Sequence, residues 1–288
     1  MNEKFKLKYA PHFGQFRALA GEDLVDQVKF VADQGFTALE DNDMMKRTPA
    51  EQEAVARAMD RRDLTMGVFV ASAIWGEQTW VHRENRDLLV GKMKEAVEVA
   101  KRVNARWTTV VLDSFDPGLE WDYQTANVID NLKACAEVCE PSGLVMVLEP
   151  LNAWTNHPGL FLSKIPQAYM ICKAVGSPSC KILDDLYHQQ VTEGNLIPNL
   201  DMAWDEIAYF QVGDNPGRNE PTTGEINYLN IFQHLHRKGY AGVIGMEHGT
   251  RAVRELNRRR KAGKSISPAE EQAAERTLIE AYRKVDDF

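Results

Sequence analysis

The stretches Trp107-Thr108-Thr109-Val110-Val111-Leu112-Asp113 and Leu144-Val145-Met146-Val147-Leu148-Glu149 decide the fold. Each is a nearly continuous apolar run that ends on a carboxylate. A strand with one wet face alternates apolar and polar residues. An unbroken apolar run suits a parallel strand buried on both faces. Working outward, β-rich runs also stand at residues 6–10, 37–40, 65–70, 181–185, 207–212 and 242–247.

The segments between them read as helices. Leu89, Met93, Val97, Ala100 and Val103 form one apolar stripe, at the three- and four-residue steps of a helix face. Leu24, Val28 and Val31 form another, with Gly35 placed to end that helix. Thr48-Pro49-Ala50-Glu51 and Ser267-Pro268-Ala269-Glu270 share one start grammar: N-cap hydroxyl, proline in the first turn, capping glutamate three residues on. Lys238-Gly239 is a stop signal. Eight strands alternating with eight helices, with no linker or repeat, predict one α/β domain over residues 1–288. A closed single (β/α)8 TIM barrel fits best, and a large open parallel sheet is the alternative.

Composition narrows the class. The chain has 288 residues, 44% hydrophobic and 26% charged, an ordinary globular balance. Its net charge of −8 disfavours wide contact with phosphate backbones, so no nucleic-acid partner is expected. The basic stretch at residues 251–264 reads as a solvated helix face running into a loop at Gly263. No apolar run approaches the roughly 20 residues of a membrane span, and residues 1–13 lack the apolar core of a secretory signal. Cys135, Cys139, Cys172 and Cys180 are too few for a disulfide framework, so a reducing cytoplasm is the simplest compartment.

The chemistry gathers at the ends of the runs. Glu40, Asp113, Glu149, Asp184-Asp185 and Glu247 close five of them, and Gln211 stands near the end of a sixth, followed by Asp214. In a barrel these ends converge on the face where active sites are built. Converging carboxylates repel one another unless a cation lies among them.

Several motifs carry a resemblance to a known family. They are Leu148-Glu149-Pro150-Leu151-Asn152, Asp185-Leu186-Tyr187-His188-Gln189-Gln190 and Gln211-Val212-Gly213-Asp214-Asn215-Pro216-Gly217-Arg218. Glu220-Pro221, Gly224-Glu225-Ile226-Asn227-Tyr228 and Gly245-Met246-Glu247 follow in order. Together they resemble the hydroxypyruvate isomerase branch of the xylose-isomerase-like barrel superfamily, strongly over the last four strands and mainly in rhythm before them. The stretch from Pro216 to Tyr228 is the specific signal.

The resemblance implies that Glu149, Asp185, Gln211 and Glu247 ligate one divalent metal. In related ketose 3-epimerases the third position is usually histidine, so Gln211 leans toward the hydroxypyruvate isomerase branch. Three carboxylates and an amide oxygen are hard donors, which favour Mg²⁺ or Mn²⁺ over zinc. The resemblance also implies that His188 contacts a substrate oxygen. Arg218, on a loop after two glycines, offers a fork of donors to a carboxylate or to vicinal oxygens. His12 and Glu40 stand where a substrate could be touched, and Trp75 and Trp154 lie on loops that could wall the pocket.

Such a site suits proton abstraction next to a carbonyl, through an enediolate, with Glu149 and Glu247 as the flanking bases. The first expectation is an isomerase of a small hydroxy-carbonyl compound such as hydroxypyruvate. A ketose 3-epimerase or cyclic-polyol-ketone dehydratase is the alternative on the same scaffold. A non-catalytic sugar-binding barrel fits intact carboxylates less well. An apurinic endonuclease would need more histidine and a basic groove. Barrels of this kind often form homo-oligomers through their outer helices, yet no exposed apolar stripe names an interface.

Overall fold

The computed structural model describes residues 2–73 and 75–288. Nine strands are found among them: β1 (Lys8–Ala10), β2 (Ala38–Leu39), β3 (Thr65–Met66), β4 (Val70–Ser72), β5 (Trp107–Val110), β6 (Val145–Leu148), β7 (Cys180–Asp185), β8 (Ile207–Gln211) and β9 (Val243–Gly245). The helices are α1 (Arg17–Ala20), α2 (Leu24–Asp33), α3 (Pro49–Arg61), α4 (Arg86–Val103), α5 (Trp121–Cys139), α6 (Ile165–Val175), α7 (Leu186–Thr192), α8 (Leu196–Met202), α9 (Tyr228–Arg237), α10 (Arg251–Lys261) and α11 (Pro268–Val285). The chain forms two compact units. The first holds Met1–Glu40, Ala54–Met66 and Gln211–Phe288, and the second holds Asp41–Glu53 and Gly67–Phe210.

In the first unit β1 pairs in parallel with β9, and β2 in parallel with β3. In the second the strand order is β4-β5-β6-β7-β8. There β4 to β5, β5 to β6 and β6 to β7 are parallel. The α/β class and parallel pairing therefore stand as expected. The runs that opened the reading are buried throughout: every residue of β5 and β6 is inaccessible or nearly so.

The expected third strand, residues 65–70, is two strands instead. Its halves answer to different neighbours: β3 to β2, and β4 to β5 with a register shift between Val70 and Ser72. The first strand also starts late. The backbone N–H of Lys6 donates to the Asp286 carboxylate at 2.7 Å rather than to a strand.

The local signals hold. Thr48 and Glu51 exchange backbone and side-chain hydrogen bonds at the start of α3, as do Ser267 and Glu270 at α11. The predicted stripe on α4 is buried along its length. Gly35 and Gly239 follow the ends of α2 and α9 with φ of +93° and +74°, a conformation glycine adopts without steric cost. The basic stretch is α10. Its Arg258 pairs with Glu255 at 2.6 Å and Arg259 with Glu270 at 2.8 Å, on a largely exposed face. All four cysteines are buried and free. No helix among the described residues is long and apolar enough to cross a membrane.

Candidate active site

Asp185 ends β7 and caps α7. Its Oδ1 accepts from the backbone N–H of Tyr187 at 2.8 Å and of His188 at 3.3 Å, the usual task of an N-cap aspartate. Its other oxygen, Oδ2, lies 3.6 Å from His188 Nε2. Glu149 follows β6, is only 6% exposed, and brings Oε1 within 4.0 Å of the same nitrogen. One donor atom from each of Glu149, Asp185 and His188 falls within 4.8 Å of the others, all buried, so the group could hold a metal ion. His188 lies in the first turn of α7.

The hydrogen bonds around His188 set its tautomer. Its Nδ1 accepts from the backbone N–H of Asn152 at 3.2 Å, and Asn152 Nδ2 lies 2.6 Å away. The amide of Asn152 is oriented by its other end: Oδ1 accepts from Thr155 N, Thr155 Oγ1 and Asn156 N at 3.1, 2.9 and 3.2 Å. With Nδ1 accepting, the ring proton sits on Nε2. Neutral His188 therefore points an N–H toward Glu149 and Asp185, and its ligating lone pair is already engaged by Asn152. Within the trio the histidine is a hydrogen-bond donor, and Glu149 and Asp185 offer the oxygens that could hold a metal ion. Asn152 closes the Leu148-Glu149-Pro150-Leu151-Asn152 motif, yet nothing in sequence marks it as the residue that sets this tautomer.

Asp184, the neighbour of Asp185, is fully buried, and both of its oxygens lack a hydrogen-bond partner among the described residues. Burial, then the charges of Asp185 and Glu193, push its carboxyl well above the usual range. Of the two aspartates ending β7, Asp185 is the one whose carboxylate accepts backbone N–H groups.

The first unit brings together a second set. His12 and Glu40, just past β1 and β2, face each other across a parallel bridge, with His12 Nε2 against Glu40 Oε1. Glu40 has no solvent exposure. Gln211 Nε2 donates to Glu40 Oε1 at 3.3 Å, while Gln211 Oε1 is buried without a hydrogen-bond partner among the described residues. Glu247, just past β9, accepts from Arg218 Nη2 at 2.7 Å, with both side chains about a quarter exposed. His248 is held by the Gly249 carbonyl at 2.8 Å and the Tyr282 hydroxyl at 2.9 Å. Burial, then Glu40 and Glu220, raise the Tyr282 phenol well above its ordinary value.

Arg218 stands on a tightly tied loop. Buried Asp214 accepts at Oδ2 from Thr223 N (3.0 Å) and Gly224 N (2.7 Å), and at Oδ1 from Ile226 N (3.1 Å). Asp214 N donates to Asn219 O at 2.8 Å, and between them Arg218 takes a left-handed φ of +46°. A Cβ at Gly224 would collide with Asn215 O and lie 2.6 Å from Asp214 Oδ1, which explains the glycine in that motif. Of the loop tryptophans, Trp154 is 78% exposed and Trp75 56%. Trp75 stacks on His157 at 4.7 Å, and His157 in turn lies 5.3 Å from His188, ring centre to ring centre.

Oxygen donors carried at or just past the C-terminal ends of parallel strands define a class of barrel enzymes that work on small polar substrates. This chain belongs to the xylose isomerase-like TIM barrel family, whose model matches residues 28–276. It is similar to a 2-oxo-tetronate isomerase of Pectobacterium atrosepticum, 30% identical over 80% of this chain and 88% of that one. It is also similar to a hydroxypyruvate isomerase of Escherichia coli, 29% identical over 57% of this chain and 63% of that one. Among solved structures, a D-psicose 3-epimerase from Clostridium cellulolyticum shares the fold, with a TM-score of 0.72 at 16% identity over 98% of this chain and 100% of that one. The relatives by sequence support an enzyme of the isomerase class.

Proposed function

We propose that this chain, as one barrel domain over residues 1–288, is a metal-dependent isomerase. It moves a proton between adjacent carbons of a small hydroxy-carbonyl acid, hydroxypyruvate or a close 2-oxo acid. The observation that carries the reading is the buried grouping of Glu149 and Asp185 under the Nε2–H of His188. Two buried carboxylates facing one donor leave negative charge that a cation would balance.

Glu149 and Asp185 present buried carboxylate oxygens that fit such a cation. The ligand set that the resemblance implies adds Glu247 and Gln211, whose amide oxygen is buried with no hydrogen-bond partner among the described residues. The set is oxygen-only, which suits Mg²⁺ or Mn²⁺. When bound, the cation supplies positive charge next to a substrate carbonyl and its neighbouring hydroxyl. Glu149 and Glu247 are the carboxylates that take the carbon-bound proton and return it to the neighbouring carbon, through an enediolate, while the hydroxyl proton passes to the former carbonyl oxygen. His188 Nε2–H donates to a substrate oxygen. Arg218, which clasps Glu247 at 2.7 Å, is the partner for a substrate carboxylate, and it leaves Glu247 free to act when that carboxylate takes its place.

The test is exchange in D₂O followed by proton NMR, with the Mn²⁺-loaded protein given hydroxypyruvate, 2-oxo-tetronate and ketohexoses in separate runs. The expected result is deuterium entering the 2-oxo acids, with Glu149→Gln and Glu247→Gln folded but silent. Exchange confined to C3 of a ketohexose would establish the 3-epimerase instead. Exchange into none of them would sink both readings.

A further inference from the structure

We propose that Glu40 is a positioning residue: it decides which end of the Gln211 amide is presented to the cation. The inference rests on the reading of Gln211 as a ligand given above. A primary amide is ambiguous, since one end donates and the other accepts, and the two ends are nearly the same size. Left alone among carboxylates, it would turn its NH₂ toward them and its oxygen away, the wrong way round for holding a cation. Something must hold the amide the other way, and Glu40 is built to do so.

The Glu40 carboxylate is confined on three sides. His12 approaches Oε1 from across the bridge between the ends of β1 and β2. The backbone of β9 lies against it. A Cβ at Gly245 would collide with Oε2 and sit 2.5 Å from Oε1, so glycine is required for the carboxylate to lie there at all. Gln211 Nε2 supplies the third contact at 3.3 Å. An ionised carboxylate only accepts hydrogen bonds, so the amide can meet it only through NH₂. That leaves Oε1 at the far end, buried and without a hydrogen-bond partner among the described residues. Glycine at 245, glutamate at 40 and glutamine at 211 thus form one device.

The test is Mn²⁺ binding, read by the loss of the free-ion EPR signal, which needs no turnover. Wild type is expected to bind one ion. Glu40→Gln removes the obligate acceptor, frees the amide to flip, and should weaken binding roughly 10- to 100-fold, the usual cost of losing a partner that orients a metal ligand. The exchange variant, Glu40→Gln with Gln211→Glu, reverses donor and acceptor, keeps the net charge, and presents an oxygen whichever way residue 211 turns. It should recover affinity to within a few-fold of wild type.

A Glu40→Gln protein that binds Mn²⁺ as wild type does overturns the inference while leaving the ligand reading intact. So does an exchange variant no better than Glu40→Gln, since Glu40 would then act through its charge. Wild type that binds no Mn²⁺ removes both the ligand reading and this inference. If Glu40→Gln does not fold, the exchange variant decides alone, with an affinity tenfold or more below wild type counting against the proposal.

Discussion

Removing the carboxylate of Asp214 should loosen the loop that carries Arg218 and destabilise the protein measurably. In the native state this buried side chain accepts three backbone N–H groups, from Thr223 at 3.0 Å, Gly224 at 2.7 Å and Ile226 at 3.1 Å. Hydrogen bonds to a charged acceptor contribute roughly 1.5–3 kcal/mol each. The three are not equal here. Gly224 is exposed and Thr223 half-buried, so water can replace the acceptor there, whereas Ile226 is buried and its N–H would be orphaned. The net loss for Asp214→Ala is then about 2–4 kcal/mol, the full value of one bond and a fraction of the other two. For a chain of this size that corresponds to a fall in Tm of roughly 4–10 °C, measured by calorimetry. Because Arg218 lies inside the hairpin closed by Asp214 N and Asn219 O, KM for a 2-oxo acid should rise by more than kcat falls. Asp214→Asn, which keeps one acceptor, should fall between. A melting temperature within about 1 °C of wild type for Asp214→Ala would refute the reasoning, since it would mean water satisfies all three donors.

The backbone N–H of Ser267, then Arg259, then the Ser267 hydroxyl hold the Glu270 carboxyl down to about 2 from an ordinary 4.5. A lowered folded-state value contributes stability above 4.5 and loses it as pH falls toward about 2. The difference in Tm between wild type and Glu270→Gln should therefore shrink across that window, and a constant difference would show that the cap does not titrate. Burial pushes the thiols of Cys135 and Cys139 up to about 12, so iodoacetamide should label them only in unfolded protein. Rapid modification of either in native protein, seen by mass spectrometry, would contradict their burial.

What could be read from sequence was local. The capping boxes at Thr48 and Ser267 are set by residues three apart, and the buried strands by unbroken apolar runs, so both were legible. The split of residues 65–70 was not, because it depends on which strands lie alongside, and that choice is made by distant segments. The site divides in the same way. Its carboxylates stand out as charges ending apolar runs. The contacts that give them direction link Asn152 to His188, 36 residues apart, and Glu40 to Gln211, 171 apart. The fully buried Glu40 carboxylate meets Gln211 and His12, contacts that its place at the end of an apolar run does not announce.

The identity of residue 211 follows from what lies on both sides of it. Toward Glu40 it must donate, and toward the proposed cation it must present a lone pair. A carboxylate at 211 fails the first demand, setting two anions at the 3.3 Å now spanned by a hydrogen bond. An apolar residue fails both. Two side chains of suitable reach carry a donor at one end and a ligating atom at the other: glutamine through its amide, and histidine through its two ring nitrogens. They differ in what they offer a metal. Histidine brings an imidazole nitrogen and moves the site toward zinc-like ions, whereas glutamine keeps every donor an oxygen. Glutamine at 211 thus keeps the contact with Glu40 and, under the proposed function, keeps the donor set oxygen-only, so the pair should be read as a unit.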